Sequence, residues 1–375
     1  MIHIQRITLR EIHLPLVEAF QISSGTETTR RILLLQVENT DGLETWSECV
    51  AGARPNYSPE GIDTAWLAIR EWVAPRVLGQ TFERPQDVHA ALNRDLRGNN
   101  MAKAALEMAT WELAAQNKGV SLAQLLGGKR SAIATGISLG IQDTPEKLIE
   151  KVRAALHLGY QKVKIKIKPG KDVEYVAAVR EAVDPDAPLM VDANSAYTLN
   201  DIATLKELDQ FKLMMIEQPL AWDDIYLHAS LQPKLKTPIC LDESITSEAK
   251  AREMVALGSG RIVNIKPGRV GGFTEAIAIH DYCALQEIPV WCGGMLESGI
   301  GRAYNVALAS LSNFVLPADL SPSARYWAQD IVTPEWTMNK EGMVAVPRDK
   351  IGMGVSVDVD RVENLTVRKE SMKAP

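Results

Sequence analysis

The sequence predicts an α/β protein in which a barrel of parallel strands follows a smaller α+β domain. Beyond about residue 132, apolar runs typical of buried strands alternate with amphipathic helical patterns. In addition, five charged residues stand near the ends of successive apolar runs, at steps of 26, 25, 25 and 24 residues: Lys166, Asp192, Glu217, Asp242 and Lys266. One βα unit takes roughly that many residues, and a barrel keeps its active site at the C-terminal ends of its strands.

The composition is that of a globular protein, with 46% hydrophobic and 23% charged residues in 375. A chain of this length is expected to hold a large barrel and a smaller domain. The formal net charge of −6 argues against nucleic acid or an anionic membrane as the main partner. We expect a cytoplasmic protein, because the sequence shows no signal-peptide pattern and no apolar stretch of transmembrane length. The four cysteines form no spaced pair, which argues against a zinc site or disulfides.

The first domain is expected to span residues 1–125 and to combine strands with helices. The apolar residues 31–37 predict a strand, and Asp41 and Gly42 are typical of a hairpin turn into the next one. The polar residues 23–28 predict a mobile loop before that strand. An alanine-rich helix is predicted over 101–116.

The barrel is expected to span residues 126–345, and the last residues, about 346–375, to return to the first domain. Its first helix should begin after Thr144 as N-cap, with Pro145 at the first helical position. Further helices are predicted over 247–257 and 273–286, and strands over 134–139, 162–168, 188–193, 213–217, 238–242, 261–266, 289–293 and 315–319.

Three carboxylates, Asp192, Glu217 and Asp242, end three successive predicted strands. In a barrel they would converge on one mouth and repel each other without a cation. Oxygen ligands suit a hard ion such as Mg²⁺. Each alone could be a solvated loop acid or a helix N-cap, but all three in successive units favour a metal site.

Lys164 and Lys166 are two residues apart in a strand pattern, so both point to one face. The alternative to an inward pair is an edge strand with solvated lysines, but inward lysines in a central strand are costly unless they are used. A lysine near a metal and a second lysine should have a lowered pKa and could act as a base. Lys266, counted around the strands, lies across the mouth. Two opposed bases and a metal would move a proton α to a carboxylate through an enolate.

Strings around these residues resemble the enolase superfamily, specifically its muconate-lactonizing subgroup, which carries Lys-x-Lys on the second barrel strand and a lone Lys on the sixth. They are most similar to the o-succinylbenzoate synthase / N-succinylamino acid racemase family, also described as N-acylamino acid racemases. The resemblance covers essentially the whole chain and implies a modified (β/α)7β, TIM-like barrel under an N-terminal α+β capping domain. The strings are NNMAKAALE (99–107), KIKIKPG (164–170), VDANSAY (191–197), TPICLDES (237–244), NIKPGRVGG (264–272) and PVWCGGM (289–295).

The resemblance implies a division of labour between metal ligands and lysines. The three carboxylates would bind Mg²⁺ or Mn²⁺. In the dehydration that makes o-succinylbenzoate, a step toward menaquinone, Lys166 would abstract the α-proton and Lys266 would stabilise the dienolate as a cation. In racemisation of N-succinylamino acids, Lys166 and Lys266 would alternate as acid and base. Lys164 would help to neutralise the substrate carboxylate.

The resemblance also implies residues that contact the substrate. The loop near residues 20–26, together with Tyr57, would close over the site from the capping domain. Arg269 is similar to an arginine typical of the racemising branch, which favours a dual-activity protein. The expected substrate-binding residues are Ser138, Asn194, Gly294, Met295, Leu296, Tyr57 and Arg269.

Several alternatives stay open on the sequence alone. A muconate-type cycloisomerase or another racemase or epimerase would share the same core. Dipeptide epimerases usually show Asp-x-Asp at the last strand, where this chain has only Asp319, and mandelate-racemase-like members use a His-Asp pair where Lys266 stands. A Schiff-base aldolase with Lys166 or Lys266 as nucleophile is a different chemistry, and a non-catalytic binding barrel is a third. A homo-oligomer, dimer or octamer, is expected by analogy.

Overall fold

The computed structural model describes residues 1–22 and 25–375. Its strands are β1 (Ile2–Ile22), β2 (Gly25–Asn39), β3 (Glu44–Cys49), β4 (Thr81–Phe82), β5 (Ala132–Ala134), β6 (Gly136–Leu139), β7 (Lys162–Lys166), β8 (Leu189–Asp192), β9 (Ile216–Glu217), β10 (Ile239–Leu241), β11 (Ile262–Ile265), β12 (Val290–Cys292), β13 (Val332–Thr333), β14 (Met343–Ala345), β15 (Ser356–Val357) and β16 (Thr366–Lys373). Its α-helices are α1 (Ile62–Ala68), α2 (Pro85–Asn93), α3 (Asn100–Lys118), α4 (Leu122–Leu125), α5 (Pro145–His157), α6 (Val173–Ala182), α7 (Ile202–Glu207), α8 (Tyr226–Leu231), α9 (Glu248–Leu257), α10 (Pro267–Val270), α11 (Phe273–Leu285), α12 (Gly299–Ala309) and α13 (Val359–Leu365).

An antiparallel sheet in the order β16-β1-β2-β3 forms the N-terminal part, with β4 paired to β1. Both faces of β2 are buried around residues 32–35, which explains the run of four apolar residues there. Leu33 and Leu35 enter one hydrophobic core with part of α3, whereas Ile32 and Leu34 enter the other core, which extends into the barrel. This two-sided burial follows from the alternation of side chains along a strand, and it ties the sheet to the barrel.

The loop predicted over 23–28 is wrong for residues 25–28, because β2 begins at Gly25 and pairs there with the end of β1. Ser23 and Ser24 of that predicted loop lie outside the described residues. At the other end of the chain, β16 pairs antiparallel with β1, with Arg10 opposite Lys369. The domain boundaries near residues 125 and 345 stay a prediction.

Seven parallel strands form the second sheet, in the order β12-β11-β10-β9-β8-β7-β6. The predicted helix that starts after Thr144 is confirmed, since the Thr144 side chain accepts a hydrogen bond from the Lys147 backbone N–H. The helices predicted over 101–116, 247–257 and 273–286 are also confirmed, as α3, α9 and α11.

The eighth strand predicted over 315–319 is wrong in its regular form. This segment instead makes isolated parallel bridges, Phe314 with Val290 and Ala318 with Thr135. Pro317 interrupts it, and a proline has no backbone N–H to donate to a ladder. The backbone N–H of Gly136 on β6 donates to the Ala318 carbonyl, and that of Asp319 donates to β12, so the segment joins the two edges of the sheet. The predicted fold class, a (β/α)7β barrel under an α+β domain, is confirmed.

The floor of the barrel is apolar, since Met190, Met215, Cys240, Ile262 and Trp291 pack together inside it. Asp192 and Glu217, by contrast, occupy the last positions of β8 and β9. Within residues 1–22 and 25–375, no helix is long and apolar enough to cross a membrane.

Candidate active site

The five charged residues that the sequence places near successive strand ends stand at one mouth of the barrel. The strand pairing brings the first three of them together. Lys166 lies opposite Asp192 across β7 and β8, and Asp192 lies opposite Glu217 across β8 and β9. Asp242 and Lys266 directly follow β10 and β11. Parallel strands end at the same edge, so even spacing in the sequence becomes a ring of charged groups.

Lys166 is held by two oxygen acceptors. Its Nζ donates to Asp192 Oδ2 at 2.6 Å and to Asn194 Oδ1 at 2.7 Å. Asn194 has a left-handed backbone, with φ of 42°, and its backbone N–H donates to Asp192 Oδ1 at 2.9 Å. The Asn194 amide also donates to Glu243 Oε1 at 3.1 Å. These contacts orient the Asn194 oxygen toward the Lys166 ammonium.

Lys164 lies deeper and contacts three carboxylates. Its Nζ is 2.6 Å from Asp319 Oδ2, 3.2 Å from Glu217 Oε2 and 3.4 Å from Asp192 Oδ2. Burial lowers the pKa of Lys164, but these carboxylates raise it further, and the net pKa lies well above its ordinary value. Lys164 is therefore a fixed positive charge in this arrangement.

Sequence reasoning did not single out two buried partners beneath Lys164. Lys162 is 3.2 Å from Asp319 Oδ1 and its Nζ lies 3.4 Å from the centroid of the Trp291 ring. Asp319 follows the segment that closes the barrel and accepts contacts from both lysines. The available signals were the third lysine in the same alternation as Lys164 and the single carboxylate beyond the last predicted strand.

Lys266 approaches from the opposite wall. The seven parallel strands and the segment 314–319 together form a ring of eight members. In this ring β7 and β11 are four positions apart and therefore opposite each other. The Lys266 Nζ donates to Asp242 Oδ2 at 2.7 Å and to the Tyr57 hydroxyl at 3.1 Å. Gly293 leaves space for this lysine, since a Cβ there would lie 2.6 Å from Lys266 Cε.

The pKa of Lys266 follows from its nearest charged neighbour in this arrangement. Burial lowers it, but the charge of Asp242 outweighs burial and the net pKa is raised. The lowered pKa predicted for a lysine beside a metal and a second lysine stays a prediction.

Tyr57 and Arg269 complete the surroundings of Asp242. The Tyr57 hydroxyl donates to Asp242 Oδ1 at 2.9 Å, and the Arg269 guanidinium also contacts that oxygen. Arg269 further donates to Tyr57 Oη at 3.2 Å and to the Ile245 carbonyl at 2.9 Å. Burial raises the pKa of Asp242, but Lys266 and Arg269 lower it, so Asp242 stays ionised.

The chemistry of the three carboxylates suits a hard divalent cation. All three are buried and offer only oxygen donors. Burial, and next the charge of Asp192, raises the pKa of Glu217 to about 8, which is the mark of carboxylates that repel each other. Lysine ammonium groups take up this charge in the present arrangement. Among the described residues, no set of three or more His, Cys, Asp or Glu side chains is already arranged around a metal position.

A cavity of about 410 Å³ opens above the two lysines. Gly294, Met295 and Leu296, predicted to border the substrate, line it, and Asn194 and Tyr57 do so as well. The cavity is also lined by Phe20, Arg30, Arg54, Lys166 and Lys266. The structure thus brings two of the three catalytic candidates and five of the seven expected substrate-binding residues into one space.

Two predicted binding residues stand apart from this lining. Ser138 lies on β6 in register with Lys164, and within the described part of the chain its Oγ has no hydrogen-bond partner. Arg269 lines a separate cavity of about 600 Å³ beside Tyr57, together with Glu243 and Trp222. In this structure Arg269 therefore meets the site through Asp242 and Tyr57.

A carboxylate of the N-terminal sheet supports the loop that carries Met295. Glu48 on β3 accepts hydrogen bonds from the Ser298 N–H and hydroxyl, at 3.0 and 2.6 Å, and from the Gly301 N–H. These groups belong to the start of α12, so Glu48 caps that helix. Burial raises the pKa of Glu48 to about 7, although the Ser298 hydroxyl lowers it in part.

A barrel with this ring of charges, covered by an α+β domain, defines a capped barrel enzyme. The enolase C-terminal domain-like family matches residues 147–362, and the N-terminal domain family of mandelate racemase and muconate lactonizing enzyme matches residues 5–127. The chain belongs to the enolase superfamily, as its sequence motifs predict.

Curated relatives cover nearly the whole chain. An o-succinylbenzoate synthase from Geobacillus kaustophilus is 48% identical over 365 residues, which are 97% of this chain and 96% of the relative. An N-succinylamino acid racemase from Thermus thermophilus is 46% identical over 371 residues, 99% of each chain. A crystal structure of an enolase superfamily member from Listeria innocua superimposes with a TM-score of 0.96 at 40% identity, over 100% of both chains.

Proposed function

We propose that this enzyme abstracts the proton α to a carboxylate of a small substrate, through an enolate, as an o-succinylbenzoate synthase, an N-succinylamino acid racemase or both. The observation that carries the proposal is that Lys166 and Lys266 line one cavity from opposite walls of the barrel. A substrate between them would present one face of its α-carbon to each lysine. The names of the relatives at 46 and 48% identity support these two activities.

The two lysines would divide the proton transfers between them. In racemisation, the Nζ of one lysine takes the α-proton and the ammonium of the other returns a proton to the opposite face. In dehydration, Lys166 takes the α-proton and the Lys266 ammonium stabilises the negative charge that develops; the Lys166 ammonium then returns this proton to the hydroxyl group, whose C–O bond breaks as it leaves as water. Lys164, whose pKa is raised by carboxylates, stays charged and helps to neutralise the substrate carboxylate.

Asp192, Glu217 and Asp242 would hold Mg²⁺ or Mn²⁺. The fit rests on oxygen-only donors, full burial and the raised pKa of Glu217. Such an ion, when bound, supplies positive charge that stabilises an enolate. Lys166 and Lys266 would then no longer be needed to neutralise Asp192 and Asp242, and could turn to the substrate.

The remaining candidates would position these groups or border the substrate. Gly294, Met295 and Leu296 line the cavity and would border the succinyl arm. Tyr57 covers the site from the capping domain, and Arg269 holds Tyr57 and Asp242 in place. Asn194 orients Lys166, and Ser138 would meet the ligand beside Lys164.

The deciding experiment assays the purified protein with Mg²⁺ on the o-succinylbenzoate precursor and on N-succinylamino acids side by side. Turnover of at least one of them, abolished by EDTA and restored by Mg²⁺ or Mn²⁺, is expected. Muconate serves as the competing substrate, and its preferential turnover would assign a cycloisomerase instead. Borohydride treatment with a carbonyl substrate should leave Lys166 and Lys266 unlabelled, since labelling would indicate a Schiff-base aldolase.

The assembly and location of the enzyme stay predictions. A homo-oligomer, dimer or octamer, is expected, and light scattering of the purified protein measures it. A cytoplasmic location is expected, and fractionation of producing cells tests it.

A further inference from the structure

The cavity above the lysines carries positive charge at two ends. Lys166 and Lys266 stand at its inner end, where their side chains are only 8% and 7% exposed. Arg54, an exposed residue of the connection between β3 and α1, lines the same cavity on the solvent side. Phe20 and Met295 contribute apolar surface to the lining. A ligand with an anionic group at each end matches this distribution.

Arg54 differs from the other cations that line the cavity. The Arg30 guanidinium is buried, donates to the Val50 carbonyl at 2.9 Å and lies 3.8 Å from Glu27. Lys166 and Lys266 are engaged by carboxylates. Among residues 1–22 and 25–375, by contrast, no carboxylate lies within ion-pair distance of Arg54.

The acidic residues of the lining are engaged elsewhere. Glu27 faces Arg30, and the Glu60 carboxylate accepts hydrogen bonds from the backbone N–H groups of Met101 and Ala102, at 2.9 to 3.1 Å. Neither therefore neutralises Arg54. The solvent end of the cavity keeps a guanidinium that can bind an anion from solution.

The backbone around Arg54 is anchored on both sides. Gly52 and Gly61 form a bridge, and the Ile62 N–H donates to the Gly52 carbonyl at 2.8 Å. Tyr57, three residues after Arg54, is tied to Asp242. The backbone position of Arg54 at the cavity is therefore set by the fold, while its guanidinium stays available to a ligand.

We propose that Arg54 binds a second, distal carboxylate of the substrate and so sets a preference for dicarboxylic, N-succinyl-type substrates over N-acyl substrates without that charge. The inference rests on the proposed function, which places the first carboxylate and its α-carbon between Lys166 and Lys266. Guanidinium and carboxylate match as a bidentate pair. Arg54 would determine substrate specificity and take no part in the proton transfer, because it lies at the solvent end of the cavity.

The test compares N-succinyl and N-acetyl derivatives of one amino acid in wild type, Arg54→Gln and Arg261→Gln. The preference for the succinyl substrate, as a ratio of kcat/KM, should fall roughly 10-fold in Arg54→Gln, mainly through KM, because a charge-assisted hydrogen bond is lost. Added salt should weaken the preference in wild type and leave it unchanged in Arg54→Gln. Arg261→Gln removes the same charge from an exposed residue at the N-terminal end of β11 and should keep the wild-type ratio.

The outcomes separate this inference from the proposed function. An unchanged ratio in Arg54→Gln, or an equal loss for both substrates, overturns the role of Arg54 even when the wild type racemises both. If the wild type turns over neither substrate, the proposed function fails, and calorimetry of the two derivatives then decides about Arg54. A succinyl preference in binding that Arg54→Gln removes supports the inference, and an equal preference in both proteins overturns it.

Discussion

The Tyr57 hydroxyl donates a hydrogen bond of 2.9 Å to Asp242, across a separation of 185 residues in the chain. Tyr57 comes from the capping domain, and Asp242 follows the barrel strand β10. The same hydroxyl accepts from Lys266 and Arg269, and the Lys266 ammonium lies 4.4 Å from the centroid of the Tyr57 ring. The capping domain thus contributes directly to the position of a proposed metal ligand and a proposed base.

Tyr57→Phe should lower kcat/KM roughly 10- to 100-fold. It removes the hydrogen bond to the Asp242 carboxylate, and Lys266 and Arg269 lose the hydroxyl oxygen as an acceptor. The ring remains, so its packing over Lys266 is kept. Steady-state kinetics and thermal unfolding measure the effect. Tyr226→Phe, at an exposed tyrosine outside the cavity, is the matched control. Wild-type kinetics in Tyr57→Phe would argue against the positioning role.

Lys166→Ala should lose both dehydration and racemisation by roughly 10²- to 10⁴-fold, the usual contribution of a general acid or base. Folding should largely persist, because Asp192 keeps Lys164 at 3.4 Å. Both activities and the unfolding temperature are the measurements. Lys168→Ala removes a lysine two residues further along as control. Retained activity in Lys166→Ala would favour the non-catalytic binding barrel.

Changing Lys266 has a different expected signature. Lys266→Ala should abolish racemisation while the α-proton of one enantiomer of an N-succinylamino acid still exchanges in D₂O, because Lys166 faces only one side of the α-carbon. Proton NMR of each enantiomer follows the exchange. The reciprocal pattern is expected for Lys166→Ala. Equal exchange of both enantiomers in Lys266→Ala would contradict two opposed bases.

Glu48 should make stability depend on pH. Its pKa rises from an ordinary 4.5 to about 7 on folding, so the folded state holds the extra proton between these values. The contribution of Glu48 to the free energy of unfolding is therefore fully present below pH 4.5. It decreases by about 3 kcal/mol as the pH rises through 7. Glu48→Gln does not titrate and should therefore show a smaller fall in unfolding free energy between pH 5 and pH 8.

Urea unfolding at the two pH values measures this difference. Glu150→Gln, at an exposed position of α5, should keep the wild-type fall. An equal fall in wild type and Glu48→Gln would show that another group carries the pH dependence.

The sequence predicts those site residues whose place depends only on their position within one strand or at its end. Alternation places Lys164 and Lys166 on one face, and even spacing assigns Asp192, Glu217 and Asp242 to neighbouring strand ends. Asp319 and Lys162 escaped that reasoning, because their pairing depends on how the last segment closes the barrel over Trp291.

The sequence by itself determined the fold class, the family and the set of charged residues at the mouth, because these follow from local periodicity and motifs within single βα units. Only the tertiary structure decided that Tyr57 contacts Asp242, that Arg269 stands behind that carboxylate and that Arg54 lines the cavity of the lysines. Those relationships depend on how the two sheets pack against each other, which is set by buried side chains far apart in the chain.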